Sequence, residues 1–155
     1  MSSFGTAAFT VFGTVLGGAV VLVLGQWVQR FIMEPIQEQR RVIGEIAHAL
    51  TFDANVGYIP GEEHLDEDYR KKLKERVDET HLRLRGLAAR LSATLWTVPF
   101  YAFFERRGWV PSADDVNVAS TELIGWSNGL ESRDGPENAR RQKRIAEKLG
   151  IRSTD

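Results

Sequence analysis

The 155-residue chain contains no cysteine. Disulfides, thiolate nucleophiles and cysteine-ligated zinc are therefore all excluded, and the composition fits a reducing compartment. Histidine is scarce, with three residues, and no nucleophile elbow, glycine-rich phosphate loop or HExxH pattern occurs. The formal net charge of −1 argues against a wholly nucleic-acid-binding protein and leaves only local basic surfaces to consider. The most informative absence is positional. No ionisable side chain falls between Ala7 and Val28, and the first Lys or Arg is Arg30.

That charge-free run, AAFTVFGTVLGGAVVLVLGQWV, has 22 residues. As a helix it is about 33 Å long, enough to cross a hydrocarbon core of about 30 Å. A cleaved signal peptide would need a basic segment before a shorter apolar core and a small-residue cleavage site, so an uncleaved single-pass anchor is expected. Positive charge lies on its C-terminal side (Arg30, Arg40, Arg41), which predicts an external N-terminus and a cytoplasmic C-terminus. Trp27 and Arg30 are the expected interfacial anchors, the indole burying its ring while its N–H bonds at headgroup level. Gly13 and Gly17 form a GxxxG pair, with Gly25 on the same ridge, and Thr6, Thr10, Thr14 and Gly18 form a neighbouring ridge of small residues. Such ridges let helix backbones approach closely in lipid, so self-association through Gly13, Gly17 and Gly25 is a candidate property; ordinary membrane-helix composition is the alternative.

Beyond the run, helical periodicity dominates. Pro35 either kinks a continuing helix or opens a new one. After it Ile36, Ile43, Ala47, Leu50 and Ala54 recur on one face with Ile46 beside them, predicting an amphipathic helix ended by the turn chemistry of Gly57 to Gly61. From about Asp66, acids precede bases as a helix dipole prefers. Tyr69, Leu73, Val77, Thr80, Leu84, Leu87, Leu91 and Leu95 then follow at coiled-coil-like spacing. The segment TVPFYAFFERRGWVPS predicts a short aromatic helix ended at Gly108, whose rings either cap the core or, beside Arg106 and Arg107, lie in the membrane interface; core is the favoured expectation. Ser112 with Asp115 makes a capping pattern before Val116, Ala119, Leu123, Trp126 and Leu130. RDGPEN breaks the chain, and Pro136 starts a last helix closed by Gly150.

The expected fold class is all-α, a single N-terminal transmembrane helix followed by a small antiparallel helical bundle. The divisions are an N-terminal segment and span over 1–33, a cytoplasmic bundle over 34–134 and a basic helix or tail over 135–155. That tail carries Arg140, Arg141, Lys143, Arg144 and Lys148 against few large apolar groups, so it is expected to be the least securely packed element. It is read as a solvated helix or an anionic-lipid contact, the latter ahead of nucleic acid because no aromatic interleaves its charges.

The blocks EPIQEQRRVIGEIAHALTFDANV, LRGLAARLSA, VPFYAFFERRGWVPS and ASTELIGWSN resemble a family of small bacterial single-pass membrane proteins of unassigned function. The resemblance covers most of residues 34 to 130 and implies bacterial origin and an anchored helical domain; it brings no activity and no site residue.

Chemistry is the weaker expectation. Glu45 with His48 and Asp78 with His81 place an acid and a histidine three apart on two helices, as di-iron carboxylate bundles do, but Glu45, His48 and Asp78 turn away from their apolar stripes. Ser127, Asn128 and Asn55 are read as structural polar groups. No catalytic residue, metal or cofactor is expected. The expected function is a membrane-anchored interaction module, a scaffold or adaptor whose partners are the bilayer, a possible second copy and an unknown protein. A membrane-perturbing effector or toxin acting through associated spans is the alternative.

Overall fold

The computed structural model describes residues 3–54, 56, 66–132 and 135–152, without the side chains of 3–12, 14, 15, 131 and 132. Every regular element among the described residues is helical. They are α1 (Ser3–Val28), a π-helical turn (Gln29–Met33), α2 (Glu34–Phe52), α3 (Glu67–Thr97), α4 (Tyr101–Arg106), α5 (Ala113–Ser132) and α6 (Gly135–Leu149). The sequence expectations for Asn55 and for Gly57 to Gly61 fall outside the described residues, as do those for the side chains of Thr6, Thr10 and Thr14.

Of the two outcomes open at Pro35, the helix continues. A proline has no N–H to give the carbonyl four residues back and its ring crowds that carbonyl. Here the ladder widens by one residue just before it, with the Glu34 N–H bonded to the Gln29 carbonyl and helical dihedrals at Val28, Met33 and Glu34. This is the usual way a π turn absorbs a local mismatch without ending a helix. The apolar α1 therefore runs directly into α2.

One core joins four helices. Val42, Ile46 and Ala49 of α2 meet Leu84, Leu87 and Leu91 of α3, Val116, Leu123 and Trp126 of α5, and Ile145 and Leu149 of α6. The α5 seam is buried as its periodicity predicts, and the Asp115 N–H bonds Ser112 Oγ at 3.0 Å as its N-cap. In α3 the Asp66 carboxylate caps the Glu67 N–H at 2.8 Å. Burial on that helix starts only at Thr80, and Tyr69 is exposed.

Two expectations are corrected. In the main core the buried face of α2 is Gln39, Val42, Ile46 and Ala49, continued by Asp53 at its C-cap, about a quarter turn from the predicted stripe; of that stripe Ile36 is buried in a second core, and Ile43 and Leu50 flank the buried face, half-buried. The shift occurs because polar Gln39 and Asp53 find partners on other helices. The basic α6 is also well packed. Ile145 and Leu149 enter the core, and Gly150 closes the helix at φ 65°, with the Gly150 and Ile151 N–H groups bonded to the Glu147 and Ala146 carbonyls.

A second, smaller core lies where α1 gives way to the packed region. Ile36 of α2 is buried with Val98, Phe104 and Val110, and Ile32 and Tyr101 pack against them. This cluster fastens the segment from Val98 to Val110 against the start of α2.

Candidate functional site

The side chains that could act outwardly lie around that second core and along α1. In α1, Leu16, Val20 to Leu24, Trp27 and Val28 are all exposed. The helix is long and apolar enough to cross a membrane, by length and composition. A Cβ added at Gly13, Gly17 or Gly25 would meet nothing within 4 Å, so the small-residue ridge lies open. Trp27 packs against Phe31 with ring centroids 4.6 Å apart, and Arg30 beside them is exposed.

The aromatic segment departs from its favoured expectation. Phe104 is buried and Tyr101 half-buried, but Trp96, Phe100, Phe103 and Trp109 are exposed. Phe100 has φ 51° and ψ 39°, a left-handed conformation that costs a non-glycine residue about 1–2 kcal/mol. Phe103 meets Phe104 edge-on at 5.3 Å, Phe104 stacks on Trp109 at 5.5 Å, and the Arg107 guanidinium lies 5.0 Å from the Phe103 ring centre.

Buried polar groups hold this segment in place. Gln39, fully buried, donates through Nε2 to Thr94 Oγ1 at 3.0 Å and to the Tyr101 hydroxyl at 2.9 Å. Both hydroxyls pass their own protons to backbone carbonyls, Thr94 to Leu91 at 2.6 Å and Tyr101 to Pro111 at 2.9 Å. The directions are thereby fixed, and Gln39 Oε1 is left without a hydrogen-bond partner among the described residues. Burial pushes the Tyr101 phenol up from its ordinary value. Arg40 also reaches across, donating to the Trp109 carbonyl at 3.3 Å.

Above it a charge network joins α2 to α3. Arg90 donates to Glu45 at 2.5 Å and to Glu38 at 3.0 Å, while Arg41 holds Glu38 at 2.7 Å. The Arg41 and Arg90 hydrogen bonds bring the Glu38 carboxyl down to about 2, and Arg90 lowers Glu45 as well. Farther along, the Asp53 carboxylate is paired with Arg83. The Glu38 and Glu45 carboxylates therefore stay ionised near neutral pH, so this network positions helices.

The other sequence candidates divide. Glu45 is taken by Arg90, His48 stacks on Phe52 with ring centroids 4.2 Å apart, and His81 Nδ1 lies 3.1 Å from the Ser127 carbonyl oxygen. Ser127 is buried and Asn128 exposed. Among the described residues no three His, Asp or Glu side chains converge as metal ligands would. In α6, Arg144 is paired with the buried Glu122, and Arg141 lies 3.3 Å from it; Lys148 bonds Asp115 at 2.8 Å and lowers its carboxyl. Arg140 and Lys143 face outward. A groove of about 760 Å³ between α2 and α6 has an apolar floor of Ala47, Leu50, Ala146 and Ile151, and its acid, Glu147, is already 4.0 Å from Lys143.

No family model, curated protein or solved structure matches the chain. Function therefore rests on its own residues. Sequence reasoning missed Gln39, Arg83 and Arg90 because their roles depend on partners tens of residues away; the one available signal was a polar residue, Gln39, at helical spacing from Val42 and Ile46.

Proposed function

We propose that this chain is a membrane-anchored helical interaction module, with α1 as a single span and the region from α2 onward as a small antiparallel bundle on the cytoplasmic side of a bacterial inner membrane. One observation carries the reading: the exposed apolar helix runs without a linker into α2, whose Val42, Ile46 and Ala49 build the domain core. The domain is thus held at a fixed distance and orientation from its anchor, which suits a scaffold or adaptor. The resemblance of residues 34 to 130 to small bacterial single-pass proteins agrees with it.

Self-association through Gly13, Gly17 and Gly25 belongs to the same reading, since their ridge is unoccupied and small residues permit close backbone approach in lipid. Lipid contact by the basic helix is not part of it. Gln142 donates to the Ala54 carbonyl at 3.2 Å, so α6 lies alongside the far end of α2. At about 1.5 Å per residue that is on the order of 40 Å beyond Val28. The negative surface potential fades over a Debye length of about 10 Å.

Topology and association test the proposal separately. A fluorescent reporter at the C-terminus should light in the cytoplasm, and a phosphatase fused there should be inactive; the opposite pattern would reject the orientation. In a membrane two-hybrid assay of the isolated span, Gly13→Leu and Gly17→Leu should weaken association while Val21→Leu, already branched, should matter less. Equal signals from all of them would leave a monomeric anchor.

A further inference from the structure

Trp96, Phe100, Phe103 and Trp109 are 90, 78, 53 and 49% exposed, all within fourteen residues of chain. Scattered surface aromatics need no explanation, but a cluster continuous with a core marks an interaction surface. Here Phe103 and Trp109 both contact buried Phe104. Phe100 adds an independent sign. Its left-handed turn is one that glycine makes without strain, and the chain instead carries a phenyl ring there, in solvent. Strain of this kind, together with an exposed apolar side chain, points to a contact outside the folded domain.

The height of the patch identifies what it meets. Contacts between α2 and α3 pair Asp53 with Arg83, Glu45 with Arg90 and Gln39 with Thr94, so the two helices run in opposite directions and the C-terminal end of α3 returns toward α1. Val98 packs with Ile36, and continuing that register brings Phe100 level with about Glu34. By the helix rise of about 1.5 Å per residue this is about 9 Å beyond Val28. At about 39 Å, α1 is longer than a hydrocarbon core of about 30 Å, so the apolar Phe31, Ile32 and Met33 can also sit at the boundary while Arg30 extends its charge to the headgroups. Phe100 then falls within the interfacial layer, about 5–7 Å thick on each side, and Trp96, level with about Glu38 in the same register, falls at its outer edge. Tryptophan favours that depth, and phenylalanine is common on the apolar face of interfacial helices. Arg40, Arg106 and Arg107 flank the rings, all exposed, and outweigh the nearby Glu34 and Glu105, which suits anionic headgroups.

We propose that Trp96, Phe100, Phe103 and Trp109, with Arg106 and Arg107, dock into the headgroup interface of the bilayer that holds α1. The domain is then fastened to the membrane at two points, the span and this aromatic segment, and cannot swing about the π turn. This rests on the reading of α1 as a span.

The absence of cysteine makes the test direct, because one introduced cysteine is the only thiol. The full chain is made as Val21→Cys, Leu82→Cys, Trp96→Cys and Phe100→Cys, each labelled with a nitroxide and reconstituted into phosphatidylcholine–phosphatidylglycerol vesicles. Collisions with oxygen, which concentrates in lipid, are compared with collisions with a water-soluble nickel chelate. The proposal expects the oxygen-to-nickel ratio at positions 96 and 100 to exceed that at 82, exposed and farther along α3, severalfold, with 21 the highest. A ratio at 96 and 100 equal to that at 82, with 21 still in lipid, would overturn the docking and leave the anchor intact. An aqueous label at 21 would overturn the anchor itself. Spin–spin broadening at 96 and 100 that disappears on dilution with unlabelled chain would show a second copy covering the patch, and would also overturn the proposal. Unchanged helicity by circular dichroism qualifies each variant.

Discussion

Four glycines inside helices should answer alanine substitution in three different ways. At Gly44 in α2 and Gly86 in α3 an added Cβ meets nothing within 4 Å. Only the backbone gain remains, about 0.5–1 kcal/mol of stabilisation for each. At Gly125 in α5 the Cβ would collide with the Arg141 guanidinium. That group ends a flexible side chain and can withdraw, at the expense of its 3.3 Å contact with Glu122, which Arg144 still holds. Helix gain and lost ion pair are each about 1 kcal/mol or less and should cancel. At Gly129 the Cβ would strike the amide of Asn138, a short side chain that is itself buried at the start of α6. It has no room to retreat, so α6 must shift. Overpacking typically costs about 1–3 kcal/mol, more than the helix gains. Thermal unfolding of the full chain in detergent micelles, followed by circular dichroism, reads the series, since about 1 kcal/mol moves the midpoint of a domain near 100 residues by roughly 4 °C. Gly44→Ala and Gly86→Ala should rise, Gly125→Ala stay level and Gly129→Ala fall. A Gly129→Ala midpoint rising with that of Gly44→Ala would refute the close α5–α6 approach.

Leu84→Ala and Leu91→Ala, each removing a fully buried side chain, should cost about 2–5 kcal/mol and make the domain protease-sensitive; unchanged resistance would mean the seam is misassigned. Glu38 has its carboxyl lowered from 4.5 to about 2 when folded, so its contribution is complete above about pH 4.5 and is lost as pH falls toward 2. Because the carboxylate is largely solvated, that contribution is about 1 kcal/mol or less, and Glu38→Gln should flatten the acid-side decline without changing stability at pH values below it. Gln39→Met should be neutral or stabilising, within about 1 kcal/mol, because Thr94 and Tyr101 keep their carbonyl acceptors and an unpartnered buried oxygen disappears. Tyr101→Phe, which strips the Pro111 carbonyl and Gln39 of a partner, should cost about 1 kcal/mol; the reverse order in urea unfolding would sink the assigned hydrogen-bond directions.

Helix α5 was readable from sequence because nothing contradicts its period: Val116, Ala119, Leu123, Trp126 and Leu130 are apolar, all are buried, and Ser112 supplies the cap. In α2 the same reasoning went astray by a quarter turn. Periodicity selects the most apolar face, Ile43, Ala47 and Leu50, whereas the buried face admits Gln39 and Asp53 because Thr94, Tyr101 and Arg83 satisfy them. A buried polar residue is allowed by its partners, and partners thirty to sixty positions away leave no local mark. The aromatic segment failed for another reason. Ring volume predicts core in any soluble context, yet only Phe104 is buried and Tyr101 half-buried, since the turn at Phe100 and the return of α3 toward α1 decide which rings have protein above them.

The basic α6 shows how charge can mislead. Counted along the chain, Arg141, Arg144 and Lys148 read as a solvated face or an anionic-lipid contact; in the fold their acids come from α5 of the same chain, with Glu122 taken by two arginines and Asp115 by the lysine. The acids precede the bases by about twenty to thirty residues, and only their shared alignment across the α5–α6 contact joins them. Ile145 and Leu149 then enter the core from the same side. Neutralised inward charge also explains why few apolar residues suffice to seat the helix: once Glu122 is ion-paired, its burial no longer opposes packing, and the long arginine stems cover apolar surface that leucines would otherwise fill. Removing either arginine alone should therefore be tolerated better than removing Glu122, since Glu122→Ala leaves two guanidinium groups facing each other beside the seam, while Arg141→Ala leaves Arg144 in place on the same carboxylate. Comparable losses in thermal midpoint from Glu122→Ala and Arg141→Ala would contradict that division of roles.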